Sequence, residues 1–338
     1  MAQNSHRRKF KTHKAAKAKI HVSADKVKNS FLIALVSIAI VMIVIKPEIY
    51  INSTKNGLII FTASVLPALF PFFFFSTVLT KIGAPLELAK LFNKPFKRMY
   101  NTNGISSYVF FMSIICGYPV GAKLIHELHS SGLIDARQAE KTASFCSTSG
   151  PLFILGTLGI TILNNKNLSL IILACHYLSA FLNGFIYRGK TKIDSEFISL
   201  PLDKKDVLAT SISNSTLSML NLCGYIVIFN LIIDLILNSG VLSVLPQTVP
   251  ASTFKALLCG IIEMTRGCIL LNEVAIPNFL KCGLICFVIS FGGIGILFQS
   301  MSFLGKCGIK TGKVLLQKFT QSLISFILGI IAALILSV

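Results

Sequence analysis

Charge is scarce in this chain. Asp, Glu, Lys and Arg make up 13% of its 338 residues, apolar residues make up 53%, and the mean hydropathy is +0.74. A water-soluble domain of this length has no use for so much apolar surface, which excludes soluble enzymes and soluble binding modules. Apolar–polar alternation is also missing. The apolar runs are continuous, which argues against a transmembrane β-barrel. The class that remains is an all-α polytopic membrane protein, read as about seven transmembrane helices plus two re-entrant hairpins in an inverted repeat.

Other absences narrow the chemistry. The nine cysteines, at 116, 146, 175, 223, 259, 268, 282, 286 and 307, form no Cys-x-x-Cys. Neither a disulfide framework nor a metal site is predicted, and thiols inside apolar runs act as small apolar residues. His126-Glu-Leu-His129 sets its histidines three apart, where a zinc protease helix needs four. Spacing does not support Cys146 and His176 as a nucleophile and base. No Gly-rich P-loop with Lys and Ser/Thr is present, so ATP is not hydrolysed by that route. The expectation is a protein that is not an enzyme and has no cofactor. Phe31–Ile45 resembles a signal-peptide core, but Lys46-Pro-Glu-Ile-Tyr50 lacks small residues at a cleavage point, so an uncleaved anchor is expected.

Cationic charge is the exception to this scarcity, with a formal net charge of +19. Its largest block precedes the first apolar run: Arg7, Arg8, Lys9, Lys11, Lys14, Lys17, Lys19, Lys26 and Lys28. With one aromatic, Phe10, this tail reads as a cytoplasmic segment that sets orientation and touches anionic lipid, with no nucleic-acid partner.

Apolar runs place spans at 31–45, 57–80 (kinked by Pro67 and Pro71), 145–163, 168–187, 217–238, 278–300 and 319–338. Two further stretches, 104–121 and 254–271, are broken and read as re-entrant. Lys and Arg concentrate in 81–103, 188–216 and 305–318, predicted cytoplasmic, while 239–253 has none and is predicted outside. All placements hold only if the two broken stretches dip in from opposite sides and return. The chain then divides into a tail (1–30), an anchor and loop (31–56), a first repeat (57–187), a cytoplasmic linker (188–216) and an oppositely directed second repeat (217–338). Many secondary transporters share this arrangement. A multi-pass cell-membrane protein with a cytoplasmic N-terminus is expected.

The most informative run is Phe145-Cys-Ser-Thr-Ser-Gly-Pro-Leu-Phe-Ile-Leu-Gly-Thr157. It is apolar enough to sit in a membrane, yet Ser147, Thr148, Ser149, Gly150 and Pro151 cannot continue a helix well. In hydrocarbon, freed backbone groups need partners, so such breaks are buried or line a cavity. Transporters aim them at a substrate near the midplane. Cys116-Gly-Tyr-Pro-Val-Gly-Ala-Lys123, Gly260-Ile-Ile-Glu-Met-Thr-Arg-Gly267 and Ser290-Phe-Gly-Gly-Ile-Gly-Ile296 are broken in the same way.

The candidate binding residues lie in or beside these breaks: Tyr118, Lys123, Ser147, Thr148, Ser149, Gly150, Glu263, Arg266, Gly292, Gly293 and Gln299. Lys123 is read either as a cation for an anionic substrate or as a lysine snorkelling to the interface. Ser147–Gly150 offers hydroxyls and free N–H groups, or small-residue packing. Glu263 and Arg266, at i and i+3, are read as a mutual ion pair or as separate ion and substrate contacts. Asp234 is a further candidate near a span end, and His176 is read as a structural hydrogen bonder. The breaks hold little Asn or Gln apart from Gln299, which favours an anion over a hydroxyl-rich ligand.

Leu66-Pro-Ala-Leu-Phe-Pro-Phe72, Gly117-Tyr-Pro-Val-Gly-Ala-Lys123, Ser144-Phe145, Ser149-Gly-Pro-Leu-Phe-Ile154 and His176-Tyr-Leu-Ser-Ala180 resemble the YlbJ family of sporulation integral membrane proteins, which carry a nucleoside-recognition ("Gate") domain. The second half agrees more loosely, through Gly260–Cys268 and Ser290–Ile296, the latter resembling the unwound helix of concentrative nucleoside transporters. The resemblance spans about residues 31–338. It implies a permease with two hairpins facing two unwound helices, and movement of dipicolinic acid during endospore formation. A nucleoside-type transporter and a non-transporting membrane scaffold are the alternatives. The expected partners are a small-molecule substrate and the lipid bilayer, with self-association left open.

Overall fold

A computed structural model of the protein describes residues 26, 29–189, 206–240, 246 and 248–336. The basic tail, with its expected lipid contact, lies outside the described residues except for Lys26, Asn29 and Ser30. So does most of the 188–216 linker.

Every regular element among the described residues is helical. The described residues fall into two compact units, divided between Ser53 and Thr54. The first contains α1 (Asn29–Ile45), the expected anchor. α2 (Pro47–Ile60) leads into the second. A π-helical turn, Phe61–Val65, follows and joins α3 (Leu66–Lys81) directly ahead of Pro67 and Pro71. The Pro67 ring would meet the carbonyl of Ala63, four residues back within this turn, and widening the helix there relieves that conflict, while Pro71 lies inside α3 itself.

α4 (Ala84–Tyr100) turns 79° from α3. It buries Ala89, Phe96 and Tyr100 and exposes Lys90, Lys94, Lys97 and Arg98. A basic amphipathic helix across the end of a span suits the membrane interface. α5 (Ile105–Cys116) and α6 (Val120–Ser130) form the first hairpin, which extends to residue 130 and not, as expected, to 121. α7 (Ala136–Ala143) is short and capped by Asp135. The expected span 145–163 is a π-helical segment, Leu152–Ile162, preceded by non-helical backbone at 147–150. α8 (Lys166–Ile186) completes this half.

The second half begins with α9 (Val207–Asn238), ten residues earlier than the apolar run at 217 suggested. α10 (Val249–Ile262) and α11 (Met264–Glu273) form the second hairpin. α12 (Asn278–Phe291) and α13 (Gly293–Leu304) are one span broken at Gly292. α14 (Thr311–Ile335) closes the fold. It begins eight residues before the expected 319, so Lys313 and Lys318 are helical and do not belong to a cytoplasmic loop. Among the described residues, four helical stretches are long and apolar enough to cross a membrane, or up to six if each bent pair counts once.

The two halves interlock. α6, an arm of the first hairpin, packs against α13, and α11, an arm of the second, packs against Leu152–Ile162. Two apolar clusters follow this exchange. One joins α4–α6 residues such as Phe96, Val109 and Leu124 to Met219, Leu297 and Phe303. The other joins Ile154, Leu158 and Ile172 to Ala256, Cys268 and Ile285. Apolar side chains of one half therefore cover those of the other, which holds both sets of breaks at the centre.

Candidate functional site

Glycines bring the breaks together. Gly117 ends α5 with φ +79° and ψ −166°, a backbone state open only to glycine. A Cβ there would collide with the Gly150 backbone. In the second half, Gly293 has φ +82°, and a Cβ on it would lie 2.9 Å from Ile262 O and 3.2 Å from Glu263 Cα. In each half the hairpin tip therefore rests against the second broken stretch.

Side chains then join one half to the other. The Ser149 N–H, freed by the break at Pro151, donates to His176 Nε2 at 2.8 Å. His176 Nδ1 lies 2.8 Å from Ser290 Oγ. Because Nε2 accepts, a neutral imidazole carries its proton on Nδ1 and donates it to Ser290. His176 is fully buried and acts as a structural bridge between the two broken spans. Thr148 Oγ1 donates to Ser113 O at 2.8 Å and ties the same break to α5.

Tyr118, at the first hairpin tip, points its hydroxyl at Ile289 O and Ser290 O, both at 3.3 Å. These are carbonyls of the last turn of α12, left without intrahelical donors by the break at Gly292. Gly292 has φ +79°, a backbone conformation that favours glycine, and a Cβ on it would touch the Tyr118 ring at 3.5 Å, an ordinary van der Waals distance.

The centre of this network is a residue outside the expected site. Lys318 Nζ donates to Tyr118 Oη at 2.6 Å and to Ser147 O at 3.1 Å, and it lies 4.2 Å from the Tyr118 ring centroid. Lys318 is 3% exposed and forms no ion pair among the described residues. Two of its three donors are engaged by neutral groups. The clue was available: Gln317, Lys318, Gln321, Ser322 and Ser325 recur at helical spacing ahead of and inside the last apolar run. Starting that span at 319 hid it.

The other expected cations are paired. Lys123 is 2% exposed, and its Nζ meets Glu127 Oε1 at 2.9 Å, Phe73 O at 3.4 Å, and Thr77 Oγ1. It does not snorkel. Its carboxylate partner lies one turn along α6, at a position the reading considered only as part of a rejected zinc motif. Glu263 and Arg266 do not pair through their side chains. Glu263 caps α11, accepting from Thr265 N at 2.9 Å and Arg266 N at 2.8 Å. Arg266 instead meets Asp234 Oδ1 of α9 at 3.2 Å. A carboxylate in the extended residue before a helix satisfies orphan N–H groups, which explains its preference for this role.

Of the expected residues, Tyr118, Ser147, Ser149, Gly150 and Gly292 therefore surround the Lys318–His176 network. Thr148 joins it through Ser113. Gly293 and Glu263 form the second hairpin contact, Lys123 sits in its own cluster, and Gln299 is buried farther along α13. No group of His, Cys, Asp and Glu suited to a metal occurs among the described residues.

No family model matches the chain, and no solved structure matches it. The sporulation integral membrane protein YlbJ of Bacillus subtilis is 26% identical over 318 residues, covering 83% of this chain and 77% of that protein. A likeness over so much of both chains, together with a helical multi-pass architecture, supports the expected resemblance to the YlbJ family of integral membrane proteins.

Proposed function

We propose that the protein is a secondary transporter or permease for a small anionic metabolite. One observation carries this reading: Lys318, a buried cation without a carboxylate partner among the described residues, sits where three broken helices converge. An ionisable group inside a span is costly and tends to mark a substrate or ion pathway. A desolvated anion needs cationic and N–H or O–H donors. Lys318 has a donor left over, and Ser290, which accepts from His176, keeps its own hydroxyl proton to donate.

The repeated element order (span, hairpin, broken span, span) and the exchange of hairpin arms support an inverted repeat with boundaries near 57–187 and 217–338. In that architecture the site lies at the repeat interface. The charged role expected of Lys123 and Arg266 passes to Lys318, because carboxylates already hold the other two. The family relative is named for sporulation, and we assign the same setting here, with dipicolinate, a planar dicarboxylate, as the substrate. Reconstitution into sealed liposomes tests this. Protein-dependent dipicolinate flux that exceeds uridine flux is expected. Uridine preference would point to a nucleoside-type transporter, and absence of any flux to a membrane scaffold.

A further inference from the structure

α14 is long enough to cross a bilayer, yet one of its faces is polar. Gln317, Lys318, Gln321, Ser322 and Ser325 are all buried on it. α14 packs against α8 and α12, so this face looks into protein and away from lipid. Part of the polarity is matched. Gln317 Nε2 donates to Glu140 O at 3.0 Å and Ser322 Oγ to Lys318 O at 2.6 Å. Three atoms are not: Gln317 Oε1, Gln321 Nε2 and Ser325 Oγ are buried without a hydrogen-bond partner. They stand at i, i+4 and i+8, one above another along about 12 Å of helix. Gln317 is fixed in orientation by its bond to a carbonyl, so its oxygen is the free end.

A polar group shut away from water without a partner is costly, and in a membrane span an apolar residue is the ready alternative. Three such groups in a row, beginning beside a buried cation, mark a face that meets water or solute in another state of the protein. We propose that the Gln317–Gln321–Ser325 face of α14 lines the hydrated route by which an anion reaches Lys318, in a state where this face is open to water. Gln321 and Ser325 supply donors to a carboxylate, and Gln317 Oε1 accepts from its water shell. This proposal rests on the transport reading and extends it to a path.

Thiol accessibility tests it. Gln321→Cys, Ser325→Cys and Ile327→Cys are made singly in a variant whose nine native cysteines are alanine, and each is placed in lipid nanodiscs. A charged, water-soluble thiol reagent is added with and without dipicolinate. Positions 321 and 325 are 1% and 0% exposed, whereas Ile327 is 55% exposed and faces lipid. The expected result is labelling at 321 and 325 at least about tenfold faster than at 327, slowed by dipicolinate. Unreactive thiols at 321 and 325, or labelling that dipicolinate leaves unchanged, would overturn the route. A second measurement uses Gln321→Leu with Ser325→Ala. If the face is always dry, removing two unpaired groups raises the melting temperature and leaves flux intact. If it is a route, flux falls severalfold without loss of stability. The labelling does not require flux. Reactive, dicarboxylate-protected thiols in a protein that moves no anion would sink the transport reading and leave the hydrated anion face standing.

Discussion

Lys318 and Tyr118 lie 200 positions apart in sequence, and their Nζ and Oη atoms are 2.6 Å apart in the fold. The contact joins the last span to the first hairpin tip. Through the tyrosine hydroxyl it reaches the free carbonyls of α12. The first prediction concerns this lysine. Lys318→Met keeps the volume and removes a buried, unpaired charge, so the variant is expected to fold and to melt no lower than the parent. Its half-saturating anion concentration rises about tenfold to a hundredfold, the equivalent of about 1.5–3 kcal/mol for a lost charged hydrogen bond. Flux titration alongside thermal unfolding reads both effects. Unchanged half-saturation would remove Lys318 from the site.

Tyr118→Phe separates the hydroxyl from the ring. The ring still packs at Gly292, but Ile289 O, Ser290 O and Lys318 lose a partner. A stability loss of about 1–3 kcal/mol is expected for the stranded buried groups. Unfolding in mixed micelles measures it, and a loss below about 0.5 kcal/mol would show that water replaces the hydroxyl at once.

Gly117→Ala places a Cβ in a glycine-only backbone state and against Gly150. Strain and collision add, so the variant is expected to lose about 3 kcal/mol or more and to accumulate poorly in membranes. Gly132 also has positive φ, but nothing lies within 4 Å of its Cβ position. Gly132→Ala meets no collision, so it is expected to cost less than Gly117→Ala.

The cap and the ion pair of the second hairpin predict different magnitudes. Arg266→Gln breaks a pair whose arginine is 47% exposed, so a loss of about 0.2–1 kcal/mol is expected, restored by Asp234→Asn in the same chain. Pairing Arg266→Gln with Glu263→Gln gives no such recovery, since Glu263 serves the backbone. Glu263→Ala alone costs about 0.5–2 kcal/mol through loss of the cap. Double-mutant cycles on thermal unfolding distinguish these cases.

The charge pattern predicts an orientation that labelling can test. Single cysteines at the start of α9, between 206 and 216, are expected to label only after permeabilisation, and those at 248–253 from outside. The reverse pattern would sink the inverted repeat.

The positions of the breaks were legible in sequence because glycine and proline act locally. Gly117, Gly150–Pro151, Glu263 and Gly292 all fall inside the four stretches singled out beforehand. Helix ends were less legible. α9 and α14 continue past their apolar runs into polar residues, since a polar residue is tolerated on a helix when a neighbouring helix, and not lipid, covers it. That same fact concealed Lys318, which by charge alone reads as a cytoplasmic flank.

By itself, then, the sequence determined what short range and composition control: a membrane protein, helices, where they break, and a likeness to one family. Partner choice lay beyond it. Lys123 pairs with Glu127, Arg266 with Asp234, and Lys318 with no carboxylate among the described residues. Which cation is satisfied depends on how helices from distant parts of the chain cross. Electrostatic and hydrogen-bond contacts act over a few ångströms, so only the tertiary structure decided which charge stands at the centre.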